Sequence, residues 1–192
     1  KGQLAEVDRS QLVAGYVGQT AIKTAEALEK AKGGILFIDE AYSLTPGASG
    51  NDYGREAVEI ILKGMEDNRD DLVVIVAGYE NLMEKFISSN PGLESRFSKY
   101  FVFEDYTGEQ LNSIFLSMCK KNEYLLTPEA SERARELLNR LYEQRDDNFG
   151  NARDVRNLFE RAVSMHSDRV ASIESPSKED LITLIKEDIP DF

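Results

Sequence analysis

Asp39 and Glu40 are adjacent carboxylates that follow directly on the run Gly33, Gly34, Ile35, Leu36, Phe37, Ile38. The four apolar residues are too few for a helix, and their bulk suits a strand buried on both faces, as in a parallel sheet. The acids then fall at the carboxyl end of that strand, where open α/β sheets bind ligands. Two carboxylates side by side at a buried strand end repel each other, and a divalent cation offsets that cost. The pair reads as a Walker B element. Asp39 would hold Mg²⁺, directly or through water, and Glu40 would polarise the water that attacks a γ-phosphate. The plainer alternative is a strand that exits into a polar loop, with Asp39 and Glu40 starting the next helix. Short motifs match by accident often enough to keep that alternative open on these residues alone.

Other residue types carry weaker signals. Gly15 and Gly18 flank Tyr16 and Val17, which marks a loop presenting an aromatic. His166 ends an apolar helical stripe, with no cysteine or acid cluster beside it at metal-ligand spacing, and reads as an edge-of-core histidine. Cys119 shares a helical face with Ile114, Phe115 and Met118 and reads as a buried thiol. The acidic runs at 66–71 and 143–147 read as solvated surface.

The elements that must position the acids alternate in type. Residues 4–7 form a short alternating stretch. Ala21, Thr24, Ala25 and Leu28 recur at helical spacing, and Gly33–Gly34 stops that helix. After Glu40, residues 45–54 are turn-rich and form a loop. Ala57, Ile60, Ile61 and Met65 carry the next helix. Leu72 to Gly78 is a second apolar strand, residues 79–88 a helix, and Tyr100 to Phe103 a third strand. This alternation predicts a parallel sheet. From about 105 every segment reads as helical. Thr107 and Gln110 form a capping box, Thr127 and Pro128 open a helix, and Gly150 to Arg153 precede a stripe of Val155, Leu158, Phe159, Ala162 and Val163. Ser177 caps a last helix carrying Leu181, Ile182, Leu184 and Ile185. The expected organisation is an α/β core over 1–104 and an all-helical unit over 105–192.

Composition bounds the function. The chain has 192 residues, 41% hydrophobic and 30% charged, enough for one domain with a real core plus a small appendage. A net charge of −12 disfavours a broad contact with a phosphate backbone, so no nucleic-acid partner is expected. No apolar run approaches the roughly 20 residues of a membrane span, so no membrane partner is expected. The single cysteine excludes an internal disulfide, and no signal peptide opens the chain, which points to a cytoplasmic setting.

An α/β unit with a strand ending in Asp-Glu, followed by a helical unit, resembles the AAA+ ATPases. The stretches 34–42, 52–54, 71–79 and 90–97 are similar to the CbbX/CfxQ branch, which includes red-type Rubisco activases, stage V sporulation protein K and the ATPases of type VII secretion. The resemblance covers nearly the whole chain, and its motifs are specific in combination rather than singly. It implies an ATP- and Mg²⁺-dependent enzyme that assembles as a hexameric homo-oligomer and threads or remodels a protein substrate through a central pore. By this resemblance Asp39 and Glu40 match Walker B, and Tyr16 with Val17 matches the pore loop that grips substrate. Arg96 matches the arginine finger, for which a planar, always-charged fork is suited; the plain alternative is a surface ion pair with Glu94 or Glu104. Arg153 matches sensor 2 on the lid. Sensor 1 is open between Tyr79 and Asn81. One departure is larger. The chain contains no G-x-x-x-x-G-K-S/T, which the family places upstream of residues 4–7, so the cradle of backbone N–H groups for phosphate is missing. The chain is expected to be a fragment that is inactive alone, with the P-loop strand absent between the strands at 73–77 and 100–103. The competing reading is a non-catalytic protein-interaction module with a degenerate ATPase fold.

Overall fold

A computed structural model describes residues 2–16, 18–45, 53–146 and 149–191. The chain divides into two compact units, Lys1–Val102 and Phe103–Phe192.

In the first unit three parallel strands, β1 (Leu4–Val7), β2 (Gly34–Ile38) and β3 (Leu72–Val76), lie side by side in chain order. Ile35 pairs with Leu4 on one side and Val73 on the other, and Ile38 pairs with Val7 and Val76. The crossover from β1 to β2 runs through the short α1 (Arg9–Leu12) and α2 (Gln19–Ala31); that from β2 to β3 runs through α3 (Gly54–Asp67). The helices pack on each other and on one face of the sheet, where Val7, Leu36, Ile38, Leu28, Ala57 and Ile61 form the core. Two crossovers stepping in the same direction with the same hand put both helices on the same side.

The opposite face is therefore open among the described residues. Val73 is 56% and Ile75 42% exposed, in register with the half-buried Ile35 and Phe37. The expectation that β2 is buried on both faces is corrected: the alternation of buried and less buried residues along β2 and β3 is that of a sheet covered on one side.

After β3 come α4 (Glu80–Ser88) and α5 (Pro91–Arg96), the latter capped by the Asn90 side chain. The expected third strand at 100–103 does not form. Residues 97–106 have no regular structure, and Tyr100, Phe101, Val102 and Phe103 are exposed. A strand exists only as part of a ladder, and this segment pairs with none of the three strands. Residues 46–52 of the predicted loop lie outside the described residues.

The second unit packs α6 (Gly108–Lys121), α7 (Pro128–Glu143) and α8 (Ala152–Ala171) around Leu111, Phe115, Leu138, Leu158 and Phe159. Thr107, Thr127 and Ser177 cap as read, each accepting a backbone N–H three residues on. The last helix is shorter than predicted. α9 (Lys178–Ile182) gives way to β5 (Thr183–Leu184), which pairs in parallel with β4 (Leu125–Leu126). This brings Leu184 fully into the core while Leu181 stays half exposed. His166 is buried, with Nε2 2.9 Å from the Asp180 carbonyl and its ring edge-on to Tyr124. It is a structural histidine.

Candidate functional site

The end of β2 is held from both sides. The Asp39 N–H donates to the Val7 carbonyl at 2.9 Å, the Ala77 N–H to the Ile38 carbonyl at 2.9 Å, and the Ala41 N–H to the Ala77 carbonyl at 3.0 Å. Asp39 and Glu40 are both exposed there. They start no α-helix; a 3₁₀ turn over Ala41–Leu44 follows instead. Asp39 Oδ1 accepts the Glu40 N–H at 2.9 Å, which restrains the carboxylate.

Glu40 itself has φ 48° and ψ 43°. This left-handed backbone costs a non-glycine residue on the order of 1–3 kcal/mol and persists only where the surroundings impose it. Among the described residues three non-glycines have positive φ: Glu40, Glu123 and Asn151. Glu123 follows the C-cap of α6, an ordinary place for this conformation. Of the other two, Glu40 belongs to the acidic pair singled out from the sequence, and Asn151 lies two residues before Arg153.

Asn151 is tied down by its side chain. Its Oδ1 accepts the Tyr106 N–H at 3.2 Å and its Nδ2 donates to Asp105 at 3.0 Å. The Gly150 N–H donates to Asp154 at 2.8 Å, so the entry into α8 is fixed around Arg153. The Arg153 side chain is exposed and makes no ion pair among the described residues. A cation in the first turn opposes the helix dipole, so this position gives the helix nothing.

Arg96, at the end of α5, is exposed, and its Nη2 pairs with Glu66 of α3 at 3.2 Å rather than with Glu94 or Glu104. An exposed pair of this kind contributes at most about 1 kcal/mol and is easily exchanged for another anion. Tyr16 is 74% exposed. The base of its loop is pinned to α2 by two fully buried threonines: Thr20 accepts the Ala14 N–H and Thr24 donates to the Leu12 carbonyl, each at 3.0 Å. Val17 lies outside the described residues.

Sequence reasoning missed three participants. Tyr42 stands beside Glu40, with burial first, then the charge of Glu40, pushing its phenol above the usual range. Glu66 and Asn151 acquire their roles only through contacts 30 and 45 residues away. Tyr79, exposed before α4, lies against Tyr42 with ring centroids 6.2 Å apart, whereas Asn81 points from the first turn of α4 into solvent.

The donor chemistry at Asp39 fits Mg²⁺. That ion takes one or two carboxylates and fills its other positions with water and phosphate oxygens. The described residues hold no cluster of three or more potential metal ligands, so any ion here rests on this small protein contribution.

A parallel sheet with an acidic pair at the end of its middle strand, followed by a helical unit, is the arrangement expected of an ATPase core with its lid. The chain belongs to the ATPase family associated with various cellular activities (AAA): the family model for that domain matches residues 1–105, and the model for an AAA lid domain matches residues 107–192. Among curated relatives, a protein CfxQ homolog of Galdieria sulphuraria is 46% identical over 98% of this chain and 62% of its own length. A chloroplastic ribulose bisphosphate carboxylase/oxygenase activase of Cyanidioschyzon merolae is 45% identical over 98% and 64%. Protein CbbX of Cereibacter sphaeroides is 44% identical over 98% and 61%. The chain thus spans under two thirds of the length of these relatives. Of solved structures, the FIGL-1 AAA domain matches with TM-score 0.64 and 21% identity over 97% of this chain and 62% of that one. A Thermotoga maritima RuvB mutant matches with TM-score 0.61 and 18% identity over 94% and 49%. These two likenesses concern the fold. Among the described residues no helix is long and apolar enough to cross a membrane.

Proposed function

We propose that this chain is the central and lid portion of a ring-forming ATPase that couples ATP hydrolysis to remodelling of a protein substrate. The observation that carries the reading is the strained Glu40 beside Asp39, held at the carboxyl end of the middle strand of the described sheet. Asp39 would help hold Mg²⁺, which when bound neutralises phosphate charge. Glu40 would accept a proton from the attacking water, and Arg153 would approach the nucleotide from the lid. Arg96, tethered among the described residues by the weak Glu66 pair, would be free to reach the nucleotide of a neighbouring subunit. Tyr16, exposed on a loop with a fixed base, would grip extended polypeptide in the pore of a hexamer. The relative named a ribulose bisphosphate carboxylase/oxygenase activase makes a protein substrate the favoured class.

The competing reading is that the chain acts only as an interaction module. The absence of G-x-x-x-x-G-K-S/T from the sequence favours it for the 192 residues taken alone. Positioning and electrostatics supply most of phosphoryl-transfer catalysis, and without a phosphate cradle neither is complete. The two readings part in the full-length protein that carries this chain. Glu40→Gln is expected to retain ATP while turnover falls at least a hundredfold, and Tyr16→Ala to hydrolyse ATP normally without remodelling substrate. Unchanged turnover in Glu40→Gln would remove the catalytic reading.

A further inference from the structure

The 3₁₀ turn after Glu40 is held from two sides. Its first half leans on the sheet: the Ala41 N–H is bonded to the Ala77 carbonyl, and the Tyr42 ring packs on Gly78, where a Cβ would sit 2.6 Å from Tyr42 Cδ1. Its second half needs a partner of another kind. In such a turn the Ser43 carbonyl would accept the N–H three residues on, but that residue is Pro46, which has none. Ser43 is half-buried, so an unmet carbonyl there would be costly. Arg9 meets it, its Nη1 donating to the Ser43 carbonyl. The same nitrogen lies 2.9 Å from where a Cβ on Gly54 would stand, so glycine at the start of α3 leaves the guanidinium its place. Arg9 is itself firmly anchored. The Asp8 side chain accepts the Ser10 and Gln11 N–H groups, and Gln11 Oε1 accepts the Asp8 N–H at 2.9 Å, which caps α1. The Arg9 carbonyl accepts the Val13 N–H at 2.8 Å, and the Leu12 carbonyl accepts the Thr24 hydroxyl at 3.0 Å, which fastens α1 to α2.

We propose that Arg9 is a positioning residue for Glu40: by holding the Ser43 carbonyl it keeps the 3₁₀ turn closed, and the closed turn keeps Glu40 in the left-handed backbone that sets the direction of its side chain. The proposal rests on the reading of Glu40 as the base. One hydrogen bond joins the two ends. The Ser43 N–H donates to the Glu40 carbonyl at 2.8 Å, so the residue whose carbonyl Arg9 takes is also the residue that restrains the Glu40 backbone. A glutamate at φ 48° and ψ 43° relaxes to a commoner conformation unless its surroundings prevent it. Relaxation would redirect the carboxylate, and a misplacement of about 1 Å at a reacting group can cost on the order of a hundredfold in rate. A hydrogen bond from a charged donor is roughly twice as strong as a neutral one, which suits a contact that must oppose strain. Because α1 also leads into the Tyr16 loop, the turn behind the acid is fastened to the base of that loop as well as to the sheet.

The test uses the full-length protein and Arg9→Met, which keeps an unbranched stem and removes the donors. Turnover is expected to fall about tenfold, the scale of losing a hydrogen bond from a charged group, with ATP affinity unchanged. Arg9→Lys retains a charged donor and should recover most of that loss; an Arg9→Lys protein as slow as Arg9→Met overturns the donor role. Glu40→Gln combined with Arg9→Met should be no slower than Glu40→Gln alone, because Arg9 acts through the acid. Wild-type turnover in Arg9→Met, or a loss that multiplies with that of Glu40→Gln, overturns the proposal while leaving Glu40 as the base. Wild-type turnover in Glu40→Gln overturns the reading on which it rests. Amide hydrogen exchange gives a readout independent of turnover. The Ser43 and Thr45 amides, bonded within the turn, should exchange about tenfold faster in Arg9→Met, while the Asp39 amide, bonded to Val7, keeps its rate. Unchanged exchange at Ser43 overturns the hold of Arg9 on the turn. Should Arg9→Met not fold, Arg9→Gln, whose neutral amide ends short of the Ser43 carbonyl, carries the same comparisons.

Discussion

Glu40 and Asn151 are held in backbone conformations their side chains do not favour, and each is held by long-range contacts: Glu40 by the ends of β1 and β3 flanking it, Asn151 by Asp105 and Tyr106. Strain at Glu40 and two residues before Arg153 is an observation from which function is inferred, not the reverse. The position of the acid pair at a strand end was legible in the sequence because a short apolar run closed by two charges reads as a strand leaving the core. Tyr42 was not, because nothing in residues 39–42 says that a glycine 36 positions later makes room for a ring. Cys119 shows the opposite case, a reactive residue type made inert. It is 1% exposed, and burial pushes its thiol up to about 11. The thiolate is the nucleophile, and little of it exists at pH 8. A thiol reagent at that pH should leave Cys119 of the folded chain unlabelled and react fully once denaturant is added; rapid labelling of the native protein would contradict the assignment.

Among the elements, a buried ion pair fastens the end of the lid. Asp188 is 1% exposed and accepts Arg169 Nε at 2.9 Å, Arg169 Nη2 at 2.8 Å and the Ile185 N–H at 2.9 Å. Arg169 also donates to the Thr183 carbonyl at 3.0 Å, so β5 and the following turn are fastened to α8. Burial alone would raise the Asp188 carboxyl; the hydrogen bonds from Arg169 and Ile185 and the Arg169 charge outweigh it and hold the group below its usual value of 3.8. A carboxylate with a depressed folded pKa stabilises above its unfolded pKa, and that contribution is lost as pH falls through the folded value. Stability is therefore expected to decline below about pH 4. At pH 7, Asp188→Asn should cost about 3 kcal/mol, because it leaves Arg169 partly buried without its partner, and should flatten this part of the acid decline. Urea unfolding from pH 7 to pH 3 checks both. A cost under about 0.5 kcal/mol, the range of neutral surface changes, would show that the pair fastens nothing. The sequence marked Ser177 as a cap but ran the helix on through Ile185. Helical spacing in a short apolar run does not distinguish a helix from a two-residue strand whose partner lies some 58 positions away.

For the molecule as a whole the open sheet face dominates. Val73 and Ile75 project from it, and β3 offers an unpaired edge among the described residues. Apolar side chains beside free backbone donors and acceptors form a template for association. The 192-residue chain is expected to bind a hydrophobic dye and to self-associate as its concentration rises through the high micromolar range, with Val73→Lys combined with Ile75→Lys reducing both. Sedimentation that shows a monomer throughout, with no dye binding, would mean that the face is covered.

The amino-acid sequence by itself determined the alternation of strands and helices, the caps at Thr107, Thr127 and Ser177, and the placing of Asp39 and Glu40 at a strand end. These follow from local chemistry: residue bulk, periodicity, and side chains that reach backbone groups three residues away. Tertiary structure alone decided which face of the sheet is covered, that residues 100–103 remain without a ladder, that Arg96 pairs with Glu66, and that the Tyr42 ring packs on Gly78. Each of these requires groups far apart in the chain to arrive at one place, and no pattern within a window of residues encodes that arrival.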